Sequence, residues 1–136
     1  MRKQVLWILP IILILLSGCI NQAGEIKAAL GEKFTLAIGQ SAAITGENLE
    51  IRFVEVIGDS RCPQGVQCIW AGEASSHIEI TYADSKYQLV LTQPSDSEAE
   101  FASYLIRFNL TPYPVAGKQI QDRDYRLELQ IEKKTS

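Results

Sequence analysis

Tyr125-Arg126-Leu127-Glu128-Leu129-Gln130-Ile131-Glu132 alternates apolar and polar side chains without a break. A period of two puts Tyr125, Leu127, Leu129 and Ile131 on one side of an extended chain and the four polar residues on the other, which is a strand with one buried face. Upstream, Tyr104, Ile106, Phe108 and Leu110 repeat the pattern against Arg107 and Asn109. Thr111-Pro112-Tyr113-Pro114 ends that strand by removing two backbone donors. Phe34, Leu36 and Ile38 form a further strand before a turn at Gly39-Gln40. In Leu49, Ile51 and Phe53 the phase slips at Phe53-Val54, which keeps Glu55 out of the core and predicts a bulge or bend. Ile78, Ile80 and Tyr82, then Ala83-Asp84-Ser85, then Tyr87, Leu89 and Leu91 read as one hairpin. Gln93 to Ala99 is a polar loop, and no segment past residue 33 has a helical period.

One-sided alternation belongs to antiparallel sheets, because strands of a parallel α/β sheet are apolar on both faces. The expected fold class is therefore all-β: an antiparallel β-sandwich of about seven strands, with a small antiparallel barrel as the alternative. Asp122-Arg123-Asp124-Tyr125, opening the last strand, resembles the tyrosine corner of immunoglobulin-like domains. That resemblance implies an immunoglobulin-like sandwich, and a plain core tyrosine is the competing reading of Tyr125.

The N-terminus has a different composition. Arg2 and Lys3 precede the apolar run Val5 to Leu16, which ends in Leu16-Ser17-Gly18-Cys19. A dozen apolar residues interrupted by Pro10 fall short of the roughly 20 needed to cross hydrocarbon, so the stretch reads as a signal peptide and not a spanning helix. The tetrapeptide resembles the lipobox of prokaryotic lipoproteins. The resemblance implies that Cys19 becomes the first mature residue, carrying a diacylglyceryl group with fatty acids such as palmitate. Two acyl chains meet the requirement for stable anchoring. It implies a cell-envelope location on the extracytoplasmic side, in the outer membrane if the host has one, since Ile20 is not the aspartate that resembles an inner-membrane retention signal. Residues 1–18 are then leader, 19–33 a lipidated terminus and tether, and 34–136 a single domain. Glu25 to Leu30 is the one piece of the tether that reads as one or two helical turns.

Without residues 1–18 the chain keeps 11 Lys and Arg against 16 Asp and Glu, a net charge near −5. Scattered bases on an acidic domain give no electrostatic footprint for nucleic acid. The same balance disfavours lying on anionic lipid and predicts that the fatty acids alone make the membrane contact. A monomer is expected.

With Cys19 assigned to lipid, Cys62 and Cys68 form an even pair in a disulfide-permitting compartment. Pro63 and Gly65 between them let the chain reverse. Five intervening residues are too many for the usual dithiol redox spacing, and two cysteines fall short of a closed tetrahedral metal site. The longer block Asp59-Ser60-Arg61-Cys62-Pro63 through Cys68-Ile69-Trp70-Ala71-Gly72-Glu73 resembles a motif of small, β-rich, lipid-anchored or secreted prokaryotic proteins without an assigned activity. Trp70 reads most simply as an apolar wedge packed beside the bridge. Two roles compete for the block. Asp59, Arg61, Gln64 and Trp70 form a preformed recognition surface, or Asp59 pairs internally with Arg61 and the loop closes one end of the sandwich.

Catalytic signals are weak. His77 is the sole histidine, and no nucleophile-elbow pattern surrounds any serine. Glu73, Ser75, His77 and Glu79 alternate onto one strand face, where an imidazole and two carboxylates would suit a divalent cation. No phosphate-cradling or calcium-loop motif is present, so no cofactor is expected. The leading expectation is a non-catalytic, lipid-anchored module that binds an envelope protein or glycan. Inhibition of an extracellular hydrolase by the stapled loop and a metal-dependent enzyme using His77 are the alternatives.

Overall fold

The computed structural model describes residues 24–93 and 98–135. The leader and Cys19 lie outside the described residues, as does the centre of the polar loop expected after Gln93.

Nine strands are present among the described residues: β1 (Ile26–Ala28), β2 (Lys33–Ala37), β3 (Ser41–Ile44), β4 (Leu49–Asp59), β5 (Ala74–Tyr82), β6 (Ser85–Gln93), β7 (Glu98–Phe101), β8 (Tyr104–Thr111) and β9 (Arg126–Lys133). They form two open sheets, ordered β1-β3-β4-β5-β6 and β2-β9-β8-β7, and every pairing except β1 with β3 is antiparallel. The protein is an all-β sandwich, and the barrel alternative is set aside because neither sheet closes on itself.

The core is built from the alternation read in the sequence. Leu127, Leu129 and Ile131 of β9 are buried, and so are Ile106 and Leu110 of β8. Phe53, Ile51, Ile78 and Ile80 face them from the other sheet. The β4–β5 register shifts between Phe53 and Glu55 and again between Val56 and Gly58. These bulges keep Glu55 exposed and carry β4 beyond the end of β3.

The segment expected to be a tether is partly strand. Ile26–Ala28 pairs in parallel with Ala42–Ile44, Ala28 is buried, and Ile26 and Leu30 pack against the core. The expected helical turns over Glu25 to Leu30 are therefore corrected to an edge strand. Ile26, Ala28 and Leu30 share a face at period two, and burial along the sheet outweighs the weak helix propensity of so short a piece.

The topology decides what lies at each end. β4 runs toward Asp59, β8 toward Thr111, and β9 starts at Arg126 from that same end. β1 is parallel to β3 and antiparallel in direction to β4, so the chain preceding Ile26 approaches from the Asp59 end as well.

Candidate functional site: a stapled loop at one end of the sandwich

Residues 60–73 connect β4 to β5 and are closed at the base by backbone pairing. Ser60 N–H donates to Glu73 O at 2.7 Å and Cys62 N–H to Ala71 O at 3.0 Å. Gly72 makes this closure possible. Its φ is +68°, and a Cβ there would stand 1.7 Å from Ser60 O. A glycine is required both for the left-handed backbone and for the close approach.

The tip is closed by the Cys62–Cys68 disulfide, with Cα atoms 5.9 Å apart. The side of the loop is fastened to the segment after β8: Gln64 N–H donates to Pro114 O, and Ala116 N–H donates to Gln64 O, both at 2.9 Å. Gln64 thus serves through its backbone.

Arg61 holds the loop from beneath. It is 6% exposed, and its guanidinium grips the Asp59 carboxylate with two bonds, Nε to Oδ1 at 2.8 Å and Nη2 to Oδ2 at 2.7 Å. The remaining donors reach across to the end of β8 and the residue just past it, Nη1 to Leu110 O at 2.8 Å and Nη2 to Pro112 O at 3.0 Å. The Tyr113 ring lies 5.1 Å from the guanidinium carbon, within cation–π range. The Tyr125 hydroxyl donates to Asp59 Oδ2 at 3.0 Å. Tyr125 therefore links the two sheets through a carboxylate, where the tyrosine corner it resembles would bond to nearby backbone.

These contacts set the ionisation of the cluster. Burial works to raise the Asp59 carboxyl, but the bonds and charge of Arg61 outweigh it and hold Asp59 below the usual carboxylate range. Burial, then the bond to Asp59, pushes the Tyr125 phenol up to about 12.

The site differs from the sequence expectation in which residues face outward. Of the two roles open to Asp59 and Arg61, ligand contact and internal pairing, their bonds match the second, being directed at each other, at the end of β8 and at Tyr125. Trp70, expected as a wedge beside the bridge, is 81% exposed, and Ile69 is 93% exposed. Val66 is half exposed on the same loop, and Tyr113 and Val115 are partly exposed on the segment bound to it.

The proposed cation face is occupied by its own side chains. His77 Nδ1 lies 3.3 Å from Glu55 Oε1, and Nε2 lies 2.6 Å from Gln88 Oε1. Lys86 and Gln88 both donate to Glu79, and these bonds, with the Lys86 one foremost, hold its carboxyl low. Glu73 precedes β5 and its backbone bonds to Ser60, so it does not join His77. No group of three metal-ligating side chains occurs among the described residues.

A depression of about 180 Å³ lies elsewhere, on the outer face of the four-stranded sheet between Lys33, Arg107, Asn109, Glu128 and Gln130. It is smaller than the roughly 300–1,000 Å³ of ordinary ligand pockets. No protein-family model matches this chain, and no curated protein or solved structure matches it.

Proposed function

We propose that the protein is a lipid-anchored, extracytoplasmic, non-catalytic binding module whose contact surface is the stapled loop. The observation that carries this reading is the pairing of near-complete exposure at Ile69 and Trp70 with a backbone fixed at base, side and tip. Apolar side chains of this size held outward are ordinarily contact groups, tryptophan is prominent among residues that dominate interface energy, and a loop ordered in advance loses little entropy on binding. The lipobox-like sequence supplies the anchor at Cys19, and the buried Asp59–Arg61 pair serves as the loop's strut.

A photo-crosslinking residue placed at position 70 of the native, membrane-bound protein tests the reading. Capture of a defined envelope component at position 70, and not from a control at the exposed Ser85 at the opposite end of the sandwich, is the expected result. Identical neighbours at both positions would remove the loop from the binding surface.

A further inference from the structure

We infer that the envelope component contacted by the stapled loop is the lipid surface of the anchoring membrane itself, with Ile69 and Trp70 entering its interface. The inference rests on the anchored reading above and gives that same surface its partner.

Chain length and direction point to this partner. Cys19 is seven residues before Ile26, a span of at most about 25 Å when fully extended. Ile26 stands level with Ala42 and, through it, with Ile51 of β4. From there β4 advances to Asp59 in the direction from which the N-terminal chain arrives, a rise of about 20 Å after two bulges. The loop therefore projects beyond the first strand by nearly the full reach of the anchor chain. A sandwich tethered at Cys19 is held with this end toward the lipid, and with the end bearing Lys133 away from it.

The chemistry of that end suits an interface. Residues 62–72 contain no charged side chain, and neither do residues 111–117, the segment joined to the loop through Gln64 and Val115. The acidic groups of that end, Glu73, Asp122 and Asp124, lie outside these two segments, so the loop face itself carries no charge. Exposed tryptophan and tyrosine, here Trp70 and Tyr113, favour the boundary between headgroups and hydrocarbon. Fatty acids give attachment, and the loop adds orientation.

The mature chain makes the test direct, since Trp7 leaves with the leader and Trp70 is then its sole tryptophan. The acylated protein is reconstituted in phosphatidylethanolamine–phosphatidylglycerol vesicles, with and without lipid brominated near the glycerol end of its acyl chains. Mass spectrometry first establishes acylation at Cys19. The expected result is loss of Trp70 emission in brominated vesicles and protection from aqueous acrylamide, with Ile69→Ser reducing both while leaving circular dichroism unchanged. Equal emission in the two vesicle types on acylated protein overturns the inference and leaves the anchored reading standing. So does a Trp70 that is free on vesicles yet shielded in native envelopes, which would assign the loop to a protein partner. An unmodified Cys19 brings down both readings.

Discussion

Gly72 is the position at which the loop's geometry makes its sharpest demand. The atoms a Cβ would meet are Ser60 O at 1.7 Å, Ser60 C at 2.5 Å and Arg61 Cα at 3.0 Å, all backbone, so no side-chain rotation relieves the overlap. In Gly72→Ala the left-handed φ costs about 1–2 kcal/mol. Separating the two chain segments then breaks the Ser60–Glu73 and Cys62–Ala71 backbone bonds, worth about 1 kcal/mol each. The total is about 3–4 kcal/mol, a large part of the 5–15 kcal/mol typical of a domain. Gly117 is the internal control: its φ is +74°, but nothing lies within 4 Å of the place its Cβ would take, so Gly117→Ala carries the backbone cost alone, about 1–2 kcal/mol. Equilibrium urea unfolding measures both. With a slope of about 1.5 kcal/mol/M, Gly72→Ala lowers the midpoint by about 2 M and Gly117→Ala by about 1 M. Equal losses in the two variants would refute the close approach as the reason for glycine at position 72.

Arg61→Met removes the charge and keeps the apolar stem, leaving Asp59 without its cation and the Leu110 and Pro112 carbonyls without this donor; unfolding should show a loss of about 3–5 kcal/mol, and a loss below about 1 kcal/mol would show the pair to be dispensable. Because Asp59 is held below its ordinary value, its contribution is fully present above the unfolded pKa of about 3.9 and disappears as pH falls through the lower folded value. Stability measured from pH 5 downward should therefore decline more steeply in wild type than in Arg61→Met, and parallel curves would contradict this. Reduction of Cys62–Cys68 reopens a short loop at a cost of about 2 kcal/mol while leaving the strand circular dichroism intact, since the core lies outside the loop; collapse of the sheet signal would oppose that separation. In a spectrophotometric titration, two of the protein's five tyrosines should ionise late, Tyr104 through its bond to Glu47 and then burial, and Tyr125 through burial and then its bond to Asp59, both near 12; five phenols titrating together near 10 would argue against both contacts.

The sandwich was legible because its long strands obey a strict period of two, and Leu127, Phe108 and Ile80 are buried where the alternation puts them. Glu55 announced its bulge by being a charge that the unbroken phase would have buried. The short strands were not legible. Ser41–Ile44 has too little contrast between its small residues for any period to emerge, and Ile26–Ala28 is three residues whose strand character comes from pairing with β3. At the site, the disulfide followed from the cysteine count and the expected compartment. The Asp59–Arg61 pairing was one of two readings the sequence left open, and the outward face of Trp70 was hidden, because a sequence does not show which neighbours bring unserved hydrogen-bonding groups. Arg61 went inward to meet such groups, and the indole of Trp70, with none of them to answer, stayed outside.

Why an arginine occupies that buried place follows from the edge of β8. β7 pairs with β8 from Tyr104 to Arg107, so among the described residues the last part of β8 has β9 on one side and no strand on the other. A residue's N–H and C=O point to the same side of a strand. Leu110 turns both groups toward the uncovered edge, where its N–H donates to Gln93 Oε1 at 2.8 Å and its carbonyl accepts from Arg61 Nη1. Pro112 and Pro114 cannot donate, so the exit of β8 is rich in acceptors, and a guanidinium fork is the side chain best shaped to serve several at once. A buried ion pair adds little net stability over a well-packed apolar substitute, but an apolar substitute would leave those carbonyls unpaired. The Asp59–Arg61 pair therefore does two jobs with one set of atoms: it finishes an incomplete sheet edge, and it fixes the loop that begins at Arg61 to the strand end it caps. The orientation of Ile69 and Trp70 is thereby tied to the core of the sandwich, and loosening the edge at Gln93 or Arg61 should loosen the tip that those two residues present.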